Sequence, residues 1–283
     1  MLTCLAKLRG YVASAIVLSA TLCTPLALAA TTDPDQALVL NGRLTQGSLI
    51  RAQLPVGSQI TLDGKRLTQN GQGKFVFGFD RDAGLTHTLA WQLPDGSQHT
   101  RTLDLAKRDY VTQRIDGLDQ KMVSPPAEVT ARIRKDAANV AAARGTISAG
   151  DALFTGFIWP AEGPITGVYG SQRILNGTPS RPHYGVDVGA PTGTPVVAPA
   201  TGKVTLAADL YYSGNTLIID HGMGVFTTYL HLNKMRVKVG DRVEQGEQIG
   251  EIGATGRATG AHLDWRLNLN NQRLDPALLV PAR

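Results

Sequence analysis

The segment Ala258–Leu267, ATGAHLDWRL, decides how the C-terminal half of this chain is read. After a threonine-glycine turn, the apolar residues Leu263, Trp265 and Leu267 alternate with His262, Asp264 and Arg266. A period of two is the pattern of a β-strand with one face buried. His262 and Asp264 then share the other face, where their lone pairs can meet groups brought in by neighbouring strands.

Two segments further upstream repeat the theme. RPHYGVDVGAP (Arg181–Pro191) sets His183 four residues before Asp187, and TTYLHL (Thr227–Leu232) sets His231 two residues after Tyr229. Even separations on strands put each pair on one side of a sheet. A lone strand histidine is more often structural than a ligand. Three such pairs in one glycine-punctuated region, from about Phe157 onward, point to an ion held between strands, whose rigidity fixes ligand directions better than loops do.

The other features of this region have plainer readings. His221, in IIDHGMG, lies at a turn after an apolar strand and is expected to bond locally, outside any metal shell. Tyr229 and Tyr169 are read as packing residues with a phenol to spare for a hydrogen bond. The loop SQRILNGTPSRP (Ser171–Pro182) precedes His183, and either solvates or turns Arg173 or Arg181 toward a substrate carboxylate. No Gly-x-Gly falls between a strand and a helix, so a phosphate-binding loop is not expected. PTGTPVVAPATGKV and KVGDRVEQGEQIGEIGATG echo each other as in lipoyl and biotinyl carrier half-barrels. However, Lys203 and Lys238 sit beside strands rather than at a hairpin tip, so a carrier role is not expected.

Outside this region the chain divides into three parts. Residues 1–29 combine Lys7 and Arg9, a short apolar run and Ala27-Leu28-Ala29, which reads as a secretory signal peptide. The run is shorter than the ~20 apolar residues of a membrane span, so no stable membrane insertion is expected after cleavage. Leu22 before Cys23 speaks against lipid attachment. Residues 30–110 show short alternating runs between Asn-Gly, Asp-Gly and Pro-Asp-Gly turns, the signature of a small β-sandwich. Its His87 and His99 lack an acidic or imidazole neighbour at ligating spacing and read as surface residues. Residues 111–156 form a linker, with a helix expected at about 125–144, Ser124 as its N-cap and Gly145 past its end. Residues 157–283 form the last domain. The fold class is all-β.

Both cysteines, Cys4 and Cys23, lie in the leader, so the remaining chain has no thiol chemistry and no disulfide. Of 283 residues 42% are hydrophobic, 18% are charged and 31 are glycine, which argues for a folded, turn-rich chain. Removing the leader with its two basic residues lowers the net charge from +5 to +3. That balance is too mild to suggest nucleic acid, and is compatible with an anionic cell wall.

HYGVD, then GNTLIIDHGMGVFTTYLHL, then GDRVEQGEQIGEIGATGRATGAHLDW resemble the successive blocks of the lysostaphin/LytM-type zinc metallopeptidases. The resemblance runs from about Trp159 to Leu267. It implies a half-barrel β domain, one zinc ion, and cleavage of peptide bonds in peptidoglycan stems or cross-links by an exported protein of the bacterial periplasm or envelope. Carried onto this sequence, the zinc ligands are His183, Asp187 and Asp264, and the catalytic residues are His231 and His262, with the general base open between them. The family has histidine where this chain has Asp264. Aspartate also binds zinc, but two carboxylates would neutralise the ion and raise the pKa of its water. Retained catalysis is the favoured reading, since four of the five site residues are present and the fifth is another metal-binding type. The alternative is a catalytically inactive peptidoglycan-binding protein or an activator of another wall hydrolase.

Overall fold

The computed structural model describes residues 37–283 apart from Thr146, so the expected leader at 1–29 lies outside the described residues. The described residues fall in one compact unit. The structure is mostly β, in agreement with the all-β expectation. Among the described residues no helix is long and apolar enough to cross a membrane.

Seven strands come first: β1 (Val39–Asn41), β2 (Leu49–Gln53), β3 (Gln59–Leu62), β4 (Lys65–Leu67), β5 (Lys74–Gly78), β6 (Thr86–Gln92) and β7 (Gln98–Asp104). They form two antiparallel sheets, ordered β1-β2-β5 and β4-β3-β6-β7. Alternation does the sorting here: Ile50, Ala52, Phe75, Phe77, Ile60, Leu89, Trp91 and Leu103 point inward to one shared core. His87 is less of a surface residue than its sequence context implied. Its Nδ1 lies 2.6 Å from the carboxylate of Asp63, twenty-four residues away, a proximity that only the pairing of β3 with β6 creates.

The expected linker is more structured than a spacer. It carries β8 (Thr112–Ile115), a short helix α1 (Gln120–Val123), a 3₁₀ turn at Ala127–Val129 and a longer helix α2 (Thr130–Ala143). The expected helix start was too early, and Ser124 caps the end of α1 rather than the start of α2. Pro126 is extended, with φ −68° and ψ 158°, which separates the two helices.

The rest of the chain supplies β9 (Ile165–Gly167), β10 (Gln172–Leu175), β11 (Thr178–Pro179), β12 (Val186–Gly189), β13 (Pro195–Val197), β14 (Gly202–Leu210) and β15 (Gly214–Asp220). Then follow β16 (Val225–Leu232), β17 (Lys234–Met235), β18 (Arg242–Val243), β19 (Gln248–Glu251), β20 (His262–Leu269) and β21 (Gln272–Leu274). The main sheet runs β18-β14-β15-β16-β20-β12-β9, with β21 added to β20, and β13-β19-β17 form a smaller sheet. Val204, Leu217, Ile219, Tyr229, Trp265 and Leu267 from the main sheet bury themselves with Val196, Ile249 and Ile252 in one core. The opposite face carries Leu206, Ile218 and Phe226, against which Val140 and Ala143 of α2 pack. Cross-strand register places Leu206, Ile218, Thr228, Arg266, Asp264 and Asp187 on that same face.

Candidate metal centre

β12 and β20 are antiparallel neighbours with Asp187 directly opposite Asp264. The alternation that buries Leu263 and Trp265 turns Asp264 to the other face. His183 arrives from the loop before β12, so its placement owes nothing to strand period. Its backbone N–H donates to Ser171 O at 2.8 Å and its carbonyl accepts from Gly170 N–H at 2.7 Å, which fix it beside the sheet. Its Nε2 stands 3.0 Å from Asp187 Oδ1 and 3.4 Å from Asp264 Oδ1. The three residues thus offer ligand atoms that converge on one point, all of them buried.

Two glycines make the convergence possible. A Cβ on Gly167 would overlap the Asp187 carboxylate, and one on Gly185 would overlap Asp264 Oδ1. Both nitrogens of His183 and Asp187 Oδ1 are buried without a hydrogen-bond partner. Leaving such atoms unpaired costs about 1–3 kcal/mol each, so the cluster is built to hold something. Donors at 2.0–2.2 Å from a tetrahedral ion lie roughly 3.3 Å apart, close to the spacings seen. The residues fit a zinc ion.

Arginines complete the electrostatics. Arg266 donates from Nε to Asp264 Oδ1 at 2.9 Å and from its terminal nitrogen to Oδ2 at 2.6 Å. Arg173 donates to Asp187 Oδ2 at 2.8 Å, so it faces a site carboxylate rather than a substrate. Burial alone would raise the Asp264 pKa, but the charges of Arg266 and His183 outweigh it and hold the carboxyl well below its usual range. Burial pulls His183 toward neutrality, and Asp264 and Asp187 reverse this, leaving its pKa raised. Each of the two carboxylates therefore carries its own guanidinium. Arg266 lay two residues from Asp264 on the same strand face, which was the available signal for it.

His231 reaches the centre by a route that period-two reading missed. Two residues of β16, Leu230 and His231, oppose the single Thr216 of β15, a bulge at which His231 takes φ +64°. Tyr229 stays on the core face, fully buried and bonded to Thr227 Oγ1 at 2.7 Å, while His231 is re-aimed. Tyr229 and His231 therefore do not share a face. The His231 ring lies 4.8 Å from that of His262, centroid to centroid. His231 Nδ1 sits 2.7 Å from Thr255 O, and His262 Nδ1 2.9 Å from Gly260 O. A carbonyl only accepts, so both Nδ1 atoms carry a proton, and a neutral imidazole held in this way keeps its lone pair on Nε2. Burial drives the His231 pKa down to about 4, which keeps it neutral near pH 7. His262 Nε2 lies 4.0 Å from Asp187 Oδ1.

Residues expected to stand apart do so. His221 is buried between Thr201 O and Thr227 Oγ1, and Tyr169 donates to Arg273 O. A cleft of about 1040 Å³ lies between the N-terminal sheets and the β20–β21 turn, lined among others by Phe79, Arg81, His87 and Arg273, and it contains none of the five candidate residues.

Residues 181–276 match peptidase family M23. That segment belongs to this family. Over 123 residues, 44% of this chain and 26% of the relative, it is 43% identical to the peptidoglycan DD-endopeptidase ShyB of Vibrio cholerae. The cell division protein DipM of Caulobacter vibrioides is 34% identical over 132 residues, 44% of this chain and 21% of DipM. The chain thus spans about a quarter or less of the length of these curated relatives. A solved putative M23 peptidase from Pseudomonas aeruginosa superposes with a TM-score of 0.64 at 27% identity, covering 84% of this chain and 95% of that one. The M23 segment contains all five candidate residues, while the N-terminal sheets precede it.

Proposed function

We propose that this chain is an exported, zinc-dependent endopeptidase that hydrolyses peptide bonds in peptidoglycan stems or cross-links. The observation that carries the reading is the convergence of His183 Nε2, Asp187 Oδ1 and Asp264 Oδ1 beside two imidazoles with free Nε2 lone pairs. M23 membership and the endopeptidase names of relatives such as ShyB support it. The basic and apolar leader supports export to the periplasm or envelope.

His183, Asp187 and Asp264 would hold the ion, which when bound polarises a carbonyl and lowers the pKa of a water. The chain's own groups handle the protons. His262, whose Nε2 lies 4.0 Å from Asp187 Oδ1, takes the proton of the attacking water as general base and passes it to the leaving amine. His231, neutral and fixed by Thr255 O, supplies the second imidazole, whose Nε2 accepts a hydrogen bond from the reacting groups. Arg266 keeps Asp264 ionised, and Arg173 and Arg266 each aim the carboxylate they bind.

One observation favours a second reading, a non-catalytic peptidoglycan binder or hydrolase activator. Arg266 already engages both oxygens of Asp264, and its charge opposes a cation. Metal analysis of the purified protein with a muropeptide digest read by mass separates the two. One zinc per chain with new stem-peptide fragments supports the enzyme; no stoichiometric zinc and intact muropeptides overturn it.

A further inference from the structure

The face of the main sheet that carries Asp264 holds more positive charge than it has partners for. Asp187, Asp264 and Asp275 are buried carboxylates on or just after β12, β20 and β21. Each already has its own guanidinium: Arg173 for Asp187, Arg266 for Asp264 and Arg108 for Asp275. Arg144 and Arg273 stand in the same neighbourhood, and among the described residues neither has a carboxylate.

Strand register brings these cations together. Thr228 of β16 lies opposite Arg266 of β20, and its hydroxyl accepts a hydrogen bond from Arg144 at 2.7 Å. Arg273 of β21 lies opposite Asn268, two residues along β20 from Arg266 and on the same face. Burial, with the charges of Arg266 and Arg273 added to it, lowers the Arg144 pKa to about 10. Arg144 Nε is also buried without a hydrogen-bond partner. A guanidinium with an unmet donor and two like charges beside it gains most from an anion, because its donors form a fixed fork that matches a carboxylate. The second fork is held by stacking. The Arg273 guanidinium lies 4.5 Å from the ring centroid of Tyr184, which leaves its N–H edge open to the same anion.

Solvent reaches the place. The Arg266 side chain is 32% exposed, and Arg273 is exposed. Arg273 and Tyr184 line the cleft of about 1040 Å³, and Ile147, three residues past Arg144, forms another part of its wall. Followed along β20 from Asp264, the sheet face passes the Arg266–Thr228 pair, then Arg273, and opens on that cleft. Asp264 and Arg266 are two strand residues apart, roughly 7 Å, which is also the span of two residues of an extended peptide.

We infer that Arg144 and Arg273, with the Thr228 hydroxyl, form a carboxylate-binding site beside the proposed metal centre. It selects peptides that bear a carboxylate about two residues from the bond held at the centre. The inference rests on the peptidase reading and narrows its substrate class to acidic peptides.

The test uses the purified full chain and a disaccharide-tetrapeptide muropeptide in two forms, the free acid and the same molecule with its carboxylates converted to amides. Titration calorimetry should show the acid form binding at least about tenfold tighter. Arg144→Gln and Arg273→Gln should each cut that ratio to about threefold or less, through weaker binding of the acid form alone and at unchanged zinc content. Arg144→Lys, which keeps the charge and loses the fork, should fall between. Arg273 is exposed, so its variant tests the site even where Arg144→Gln unfolds. Inorganic phosphate, the free-anion control, should bind more weakly than the acid muropeptide. Phosphate binding at these arginines without a preference for the acid muropeptide would assign the site to a free anion and overturn the inference. Equal binding of acid and amide forms, a preference that survives both glutamine variants, or no binding of either form also overturns it. An arginine-dependent preference without cleavage would sink the peptidase reading and leave the site standing. Cleavage of both forms at equal rates, in the unaltered chain and in both variants, would do the reverse.

Discussion

At the scale of single residues, the chemistry turns on the pairing of Asp264 with Arg266. At an effective dielectric of 20, a guanidinium roughly 5 Å from a dication would oppose it by roughly 6–7 kcal/mol. It also aims the carboxylate, which is worth about 1 kcal/mol or somewhat more. Charge should win. Arg266→Gln, which keeps a hydrogen-bond donor and removes the charge, is expected to raise zinc affinity at least tenfold in a chelator competition; weaker affinity would show that orientation dominates. Asp264→Ala removes a donor and leaves Arg266 unpaired, so zinc stoichiometry should collapse and stability fall by about 3 kcal/mol. Gly185→Ala pushes a methyl onto Asp264 Oδ1. It should lower zinc occupancy while leaving a cooperative unfolding transition, and unaltered occupancy would mean that Asp264 does not need its present position.

At the scale of elements, the bulge in β16 matters most. A non-glycine residue held at φ +64° costs of order 1–3 kcal/mol. The turn around Gly214 and Thr255 supports it: Thr255 Oγ1 accepts from Asn215 N–H and donates to Leu232 O, while its carbonyl holds His231. Gly214, at φ +60°, lies against the Thr255 backbone with no room for a Cβ. Gly214→Ala should therefore cost more than about 1 kcal/mol in urea unfolding. It should also broaden the His231 ring resonances by freeing them from Thr255, and sharp, unshifted resonances would argue that the turn does not position this ring.

At the scale of the whole molecule, two buried histidines set a pH dependence. Burial lowers both His221 and His231 to about 4, whereas in the unfolded chain each titrates near 6.5. Between those values the unfolded chain binds more protons, so stability is full above about pH 6.5 and falls as the pH drops toward 4. Metal-stripped protein should lose up to a few kcal/mol over that window. His221→Gln should flatten the loss, and an unchanged slope would show that His221 is not one of its sources.

The sequence by itself determined the all-β class, since short alternating runs between glycine turns leave few other ways to bury Trp265, Leu267 and Phe77. It also singled out His183, Asp187 and Asp264, whose ligand atoms lie close together, and His231 and His262, whose rings lie 4.8 Å apart. Strand period accounted for His262 and Asp264, whose separation is local. Tertiary structure decided the rest, because it depends on register and on contacts far apart in the chain. The bulge that parts Tyr229 from His231 arises only when β15 meets β16. The guanidinium on Asp187 comes from β10, fourteen residues upstream, and part of the segment read as a linker becomes strand β8 only because the edge of β10 accepts it.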